Sequence, residues 1–72
     1  MQMIPISSGG IVSIGYDRNA RILRVESKSS NIFDFYNVST HIYINFLSSP
    51  NKTKYFHSSV RGRYKVRKIK KD

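Results

Sequence analysis

The fold is decided by residues 11–36, IVSIGYDRNARILRVESKSSNIFDFY, in which apolar and polar side chains alternate through three short runs. Alternation with a period of two is typical of a strand that buries one face. The runs are separated by residues 17–20 and 28–31, which contain the turn formers Asp, Asn and Ser. Connections this short join neighbouring antiparallel strands. The stretch therefore predicts a three-stranded meander with one apolar and one polar face.

The hydrophobic period changes after the meander. Ser39 is the expected N-cap of a short helix, because apolar side chains follow it at helical spacing and residues 48–51 end the segment. The same spacing recurs after Thr53, the expected cap of a second short helix. Gly62 is placed to end that helix in a left-handed conformation. Residues 64–69 alternate again and are interpreted as a fourth strand, which ends near residue 69, or as an extended tail.

The predicted order is βββααβ, an α+β fold in which two short helices cover one face of a small antiparallel sheet of three to four strands. Residues 1–10 are predicted as a flexible N-terminal entry, residues 11–69 as a single domain and residues 70–72 as a basic C-terminal tail. The expected core consists of Val12, Ile14, Tyr16, Leu23, Val25, Phe33, Phe35, Ile42, Tyr43, Phe46, Leu47, Phe56 and Val60.

The charge balance limits the classes of partner. The 72 residues include 13 Lys and Arg against four Asp and Glu, a formal net charge of +9. Such a balance suits nucleic acid, an anionic membrane surface or an acidic protein. The absence of Cys excludes a disulfide framework and a thiolate metal site. No run reaches the roughly 18 apolar residues that span a bilayer. The first residues lack the features of a signal peptide, so a cytoplasmic location is expected.

The clearest indication of function is the run from residue 55 to residue 71, YFHSSVRGRYKVRKIKK, whose polar positions are mostly cationic. Four of its cations recur at every second position. A strand would therefore carry them as a ladder on one face, which suits contact with a phosphate backbone, and aromatic neighbours would stack on bases. The predicted nucleic-acid-binding residues are Tyr55, His57, Arg61, Arg63, Tyr64, Lys65, Arg67 and Lys68, with Arg61, Arg63, Lys65 and Arg67 forming the ladder.

Four short patterns along the chain resemble the KTSC domain, a small module named from the C-terminus of some lysyl-tRNA synthetases. The resemblance extends from about residue 8 to residue 69. Its residues are Ile11, Ile14, Gly15, Tyr16 and Asp17 in the first pattern, Leu23 and Val25 in the second, Phe33, Phe35, Val38, Ser39, Ile42, Tyr43 and Phe46 in the third, and Tyr55, Phe56, Val60, Arg61 and Tyr64 in the fourth. The function that this resemblance implies is RNA binding.

The chain departs from the family pattern at several positions. Phe33 and Phe35 stand where the pattern has tyrosines, and the loss of both hydroxyls favours a core role for this pair. Ser39 replaces a proline, Ser30 a turn glycine and Ser27 an aromatic residue of a strand.

No catalytic residue is predicted, because the chain offers no set of acid, base and nucleophile. His57 lies beside two serines, but no carboxylate is placed to orient its ring as a triad requires. Glu26 and Asp34 are interpreted as cross-strand partners of Arg24 rather than as a catalytic pair. Two histidines without Cys or clustered carboxylates fall short of a metal site, so neither a metal nor another cofactor is expected.

The leading hypothesis is a non-catalytic module that binds RNA, such as tRNA or another structured RNA, or a related polyanion, mainly through phosphates. The alternative is an adaptor or inhibitor of the phage or mobile-element type that docks on an acidic or nucleic-acid-binding protein. A solvated basic face that only keeps a small protein soluble is a third interpretation. The sequence leaves open the choice between RNA and DNA and the oligomeric state.

Overall fold

The computed structural model describes residues 1–70 of the chain. In this part, five strands form one antiparallel sheet whose spatial order, β1-β2-β3-β4-β5, follows the sequence. The elements are β1 (Met3–Ser8), β2 (Ile11–Asp17), β3 (Ile22–Ser27), β4 (Asn31–Phe35), α1 (Thr40–Ser48), α2 (Lys52–Tyr55), a π-helix (Phe56–Val60) and β5 (Val66–Lys70). The α+β class is confirmed, with more strands than expected. Neither α-helix in residues 1–70, nor the π-helix, has the length and apolar character needed to cross a membrane.

The strand missing from the prediction is β1, which occupies most of the segment interpreted as a flexible entry, residues 1–10. It pairs with β2 in a register that places Met3 opposite Gly15, and a bulge lies between Pro5 and Ser8. A proline within a short run argues against a central strand but is tolerated in an outer one. Because β1 is an outer strand, Pro5 does not prevent its pairing with β2. The same proline argued against a strand when only the sequence was considered.

The C-terminal segment is a strand and not an extended tail. β5 begins at Val66 and pairs with β4 through Lys70, one residue beyond the expected end of pairing. Ile69 is out of phase with Val66 because it lies on the other face of the sheet, opposite Ile32. Of the expected tail at residues 70–72, Lys70 belongs to β5, and the last two residues lie outside the described part of the chain.

The core lies between one face of the sheet and the helices. Ile11 takes the place expected of Val12, because a bulge between Ile11 and Ser13 adds one residue to β2 against β3. Val38 was not expected in the core, yet it is fully buried just before α1. The buried apolar residues are Ile11, Ile14, Leu23, Val25, Phe35, Val38, Phe46 and Val60. Predicted core residues that pack against them while partly exposed are Tyr16, Phe33, Ile42, Tyr43, Leu47 and Phe56.

The helix caps agree with the prediction in one case and differ in the other. Ser39 occupies the N-cap position of α1, as expected, but its side chain makes no capping hydrogen bond. α2 is capped by Asn51 and not by Thr53, since the Asn51 side chain accepts a hydrogen bond from the Lys54 amide at 3.0 Å. The Thr53 hydroxyl instead donates to the carbonyl oxygen of Ser8 at 3.0 Å. This bond ties α2 to the end of β1, a contact between distant parts of the chain that local spacing cannot reveal.

Candidate functional site

The basic stretch is divided between a turn and a strand. Residues 61–65 follow the π-helix without regular strand structure, and only residues 66–70 belong to β5. Side chains alternate between two faces only within a strand. The expected ladder of four cations on one strand face is therefore wrong, although all four are exposed.

Gly62 reverses the chain at the end of the π-helix. Its φ of +79° is left-handed, as the sequence predicts, and Arg61 is the C-cap residue before it. Arg61 and Arg63 consequently leave the turn towards different surroundings. Arg61 lines a hollow with Val66 and the ring of Phe56. Arg63 lies on another side of the turn.

The side chain of Arg63 extends from the turn towards the π-helix and α1. Its Nε donates to the carbonyl oxygen of Ser58 at 3.1 Å, and its side chain adjoins Tyr64 and Ile42. Tyr64 is half-buried and packs against the core. Arg63 is thus held by the end of the π-helix while its residue remains exposed. The rest of Tyr64 lines a shallow hollow together with Ile42 and Arg63.

The cations of β5 point to both faces of the sheet. Arg67 lies opposite Asp34, and Lys68 lies opposite Phe33. Directly paired residues of antiparallel strands share a face. Lys68 is therefore on the face that carries the helices, and Arg67 is on the outer face. Both are exposed, as is Lys65 just before the strand.

Arg24 and Asp34 form a bidentate ion pair on the outer face beside Arg67. Arg24 Nε and Nη2 donate to the two Asp34 carboxylate oxygens at 2.7 and 2.8 Å. This cross-strand contact confirms that part of the prediction. The hydrogen bond to Asp34 raises the pKa of Arg24. Glu26, the other carboxylate considered, accepts a hydrogen bond from the Ser13 hydroxyl at 2.8 Å. Asp34 is only 5% exposed, and both of its carboxylate oxygens are already bonded to Arg24 rather than to Arg67.

The two remaining predicted site residues have different surroundings. Tyr55 is half-buried, its ring centroid lies 5.5 Å from that of Phe46, and its hydroxyl donates to the Ile42 carbonyl oxygen at 3.4 Å. These contacts favour a structural role for Tyr55. His57 is exposed, and its ring meets the ring of Phe56 edge-on at 5.5 Å.

Sequence reasoning missed a groove between the segment formed by α2 and the π-helix and the strands β2 to β5. Two adjoining hollows of about 170 and 350 Å³ form it and share Ser27, Phe33 and Phe56. We call it the π-helix groove. Val66 was the available clue, since it is an apolar residue among cations in an outer strand. The residues of the groove used below are Ser27, Ser29, Phe33, Phe35, Phe56, His57, Arg61 and Val66.

Comparisons with known proteins agree with this architecture. The family model of the KTSC domain matches residues 7–64. A crystal structure of a KTSC domain protein from Yersinia pestis is similar to this chain, with a TM-score of 0.91 and 32% sequence identity. The superposition covers 94% of this chain and 96% of the Yersinia pestis chain. Among curated proteins, none matches the chain. The family model ends before β5, whereas the similarity to the solved structure covers nearly the whole chain.

Proposed function

The chain belongs to the KTSC domain family, and we propose that this member is a small non-catalytic module that binds RNA through phosphate contacts. The observation that carries the proposal is a group of exposed cations on β5 and the turn before it, which we call the basic edge. Phosphate contacts made by Lys and Arg release counterions and supply most of the affinity for nucleic acid. The basic edge consists of Arg61, Arg63, Lys65, Arg67, Lys68 and Lys70.

The placement of these cations favours a flexible polyanion over a flat surface. Arg67 and Lys68 point to opposite faces of an outer strand, and Arg61 and Arg63 leave the turn on different sides. A backbone with a charge on each nucleotide follows an edge of this kind and meets cations on both faces. In the paired register of β4 and β5, the only carboxylate opposite a cation is Asp34, and it is already ion-paired with Arg24.

The distribution of exposed apolar side chains gives less support to docking on an acidic protein. Stable protein interfaces bury a continuous patch of roughly 800 Å² on each partner, with an apolar centre. The large hydrophobic residues that are exposed in residues 1–70 include Ile4 on β1, Ile44 on α1 and Val66 on β5. Ile4 and Val66 belong to the two outer strands, at opposite edges of the sheet. They do not form one patch.

The test is fluorescence anisotropy with short labelled RNAs, single-stranded and hairpin, over a series of NaCl concentrations. Arg67→Ala and Lys65→Ala should each lower the slope of log K against log [salt] by about 0.7–0.9, because each removes about one phosphate contact. Their folding stability should barely change, since exposed cations contribute little to it. Lys54→Ala is the matched control, because Lys54 is an exposed cation on α2, outside the basic edge.

Two results would contradict the proposal. The first is the absence of binding by the wild type below about 100 μM at low salt, where non-specific contacts alone should be detectable. The second is an equal loss of affinity in Lys54→Ala and Arg67→Ala, which would show that net charge alone, without a site, attracts the RNA. In either case an acidic protein partner would become the better explanation of the basic edge.

A further inference from the structure

The helices leave part of the sheet uncovered beside the π-helix. Val66 lies opposite Phe35, on the face that carries the helices. Phe35 is only 3% exposed, but Val66 is 49% exposed. The layer of helices therefore ends between β4 and β5, and the sheet continues past it. The uncovered part of the sheet at Val66 forms one side of the π-helix groove.

The walls of the groove are aromatic and come from two elements. Phe33 of β4 and Phe56 of the π-helix line both hollows, and both are half-buried. The ring of Phe56 meets the buried ring of Phe35 edge-on at 5.7 Å, which holds it in place. Part of each aromatic side chain is thus fixed by the core, and another part is open to the groove. Fixed aromatic rings beside cations are the usual platform for an unpaired base.

The π-helix positions this wall. The amide of Arg61 donates to the carbonyl oxygen of Phe56 at 2.8 Å, a bond that spans five residues where an α-helix spans four. Single π-helical turns occur frequently at functional sites. Here the wider turn holds Phe56 and His57 on the groove and brings Arg61 to its rim.

The rim of the groove carries positive charge. Arg61 lines the larger hollow, and Lys68 shares the face of Phe33 because it lies directly opposite that residue. No Asp or Glu is among the residues that line the two hollows in the described part of the chain. The hydroxyls of Ser27 and Ser29 lie at one side, hydrogen-bonded to each other at 2.8 Å and to Asn31. The groove thus combines aromatic walls and a few polar groups with one cation in its lining, Arg61, and a second, Lys68, on the same face of the sheet.

The size of the groove suits a single planar group. Ligand pockets usually measure about 300–1,000 Å³, and the larger hollow, at about 350 Å³, is near the lower limit. An aliphatic side chain of a peptide would fill the walls but bring no anion to Arg61 and Lys68. A nucleotide provides a flat apolar face, a polar edge and an attached phosphate, so it matches walls, hydroxyls and cations together.

We infer that the π-helix groove receives one unpaired base of a single-stranded RNA segment, in contact with Phe33 and Phe56, while Arg61 and Lys68 bind the neighbouring phosphates. The inference rests on the proposed RNA binding and adds to it a preference for unpaired RNA. A base inside a duplex is stacked and paired, and its ring cannot enter the groove.

The first experiment compares two ligands of equal charge on the wild-type protein. One is a labelled single-stranded oligoadenylate of about eight nucleotides, within the usual site size of small single-strand-binding domains. The other is an abasic ribose-phosphate oligomer of the same length. Stacking of one base should make the oligoadenylate bind about 5- to 150-fold more tightly. The two salt slopes should be parallel, because stacking releases no counterions.

The second experiment fills the groove. Ser27→Phe places a ring between the two hollows that Ser27 lines, so the preference for oligoadenylate over the abasic oligomer should disappear while the salt slope stays. Ser48→Phe is the matched control, because Ser48 is exposed at the end of α1 and lines neither hollow. It should retain the wild-type preference. Thermal melting of each variant reports folding, and the comparison of ligands on the wild type stands even if Ser27→Phe does not fold.

The outcomes separate the inference from the proposed function. Equal binding of the oligoadenylate and the abasic oligomer by the wild type, with parallel salt slopes, would overturn the base pocket and leave phosphate binding intact. A folded Ser27→Phe variant with the wild-type preference would also overturn the pocket. Absence of binding to either ligand at low salt would overturn both the proposed function and the inference.

Discussion

At the scale of single residues, several turns are held in a conformation that their side chains disfavour. Four residues other than glycine have a positive φ in the described part of the chain: Ser7, Arg21, Ser30 and Asn37. A left-handed conformation costs an L-residue with a Cβ about 1–2 kcal/mol relative to the right-handed region. Ser30, at a φ of +66°, lies in the turn between β3 and β4. It also replaces the turn glycine of the family pattern, so this member contains strain that the pattern avoids.

Ser30→Gly should therefore stabilise the protein by about 1 kcal/mol, because glycine adopts positive φ without steric cost. Lys28→Gly is the control in the same turn, where φ is not positive and glycine only adds freedom to the unfolded chain. Urea denaturation of both variants measures the change in the free energy of unfolding. A Ser30→Gly protein no more stable than Lys28→Gly would show that Ser30 carries no strain.

At the scale of elements, the N-terminal chain packs closely against β2 at Gly15. Gly15 is buried, and a Cβ at this position would lie 2.6 Å from the Met3 sulfur and 2.8 Å from the Gln2 carbonyl oxygen. The absence of a Cβ therefore allows the N-terminal chain to approach β2 closely. In the sequence, Gly15 is one position of an alternating strand, and nothing local shows that another strand lies against it.

Gly15→Ala should destabilise the protein by about 1–3 kcal/mol, since a backbone oxygen has to move to admit the new methyl group. Gly10→Ala is the matched control, because a Cβ at Gly10 meets no atom within 4 Å and its φ is not left-handed. Thermal and urea denaturation give both values. If the two variants proved equally stable, β1 would not be packed over Gly15 in solution, and the interpretation of the N-terminus as a flexible entry would be restored.

At the scale of the whole molecule, charge opposes compactness. The formal net charge is +9, and the chain folds to a radius of gyration of 10.9 Å. Like charges held at such distances repel one another, and this repulsion destabilises the folded state at low ionic strength. At about 0.15 M salt the Debye length is near 8 Å, so much of the repulsion between exposed cations is screened.

The melting temperature should therefore rise with NaCl concentration, by several degrees between low salt and about 0.3 M. For a domain of this size, a shift of 4–8 °C corresponds to about 1 kcal/mol of stability. The double variant Lys65→Glu/Lys68→Glu lowers the net charge by four, from +9 to +5, at exposed positions. Its melting temperature should depend less on salt. A wild-type melting temperature that falls with salt would mean that attractive pairs, such as Arg24 with Asp34, outweigh the repulsion.

Local chemistry was sufficient for much of the fold. Alternation and turn residues predicted β2, β3 and β4, because a strand's period is visible in the residues of that strand alone. The start of α1 after Ser39 and the left-handed Gly62 also follow from short-range rules of helix ends. The pairing of Arg24 with Asp34 followed from short hairpins, which set the register between neighbouring strands. Composition alone gave the sign of the net charge, +9, which does not depend on the fold.

The class of fold, most of the core and the sign of the surface charge thus follow from the amino-acid sequence, since each depends on residue type and local spacing. Tertiary structure alone decided where β1 lies, because a strand interrupted by Pro5 is recognisable only when β2 pairs with it. It also decided which face each cation occupies, since β5 begins at Val66 only through pairing with β4. The π-helix groove has the same origin. Its walls, Phe33 and Phe56, are far apart in the sequence and come together because the layer of helices stops one strand short of the edge of the sheet.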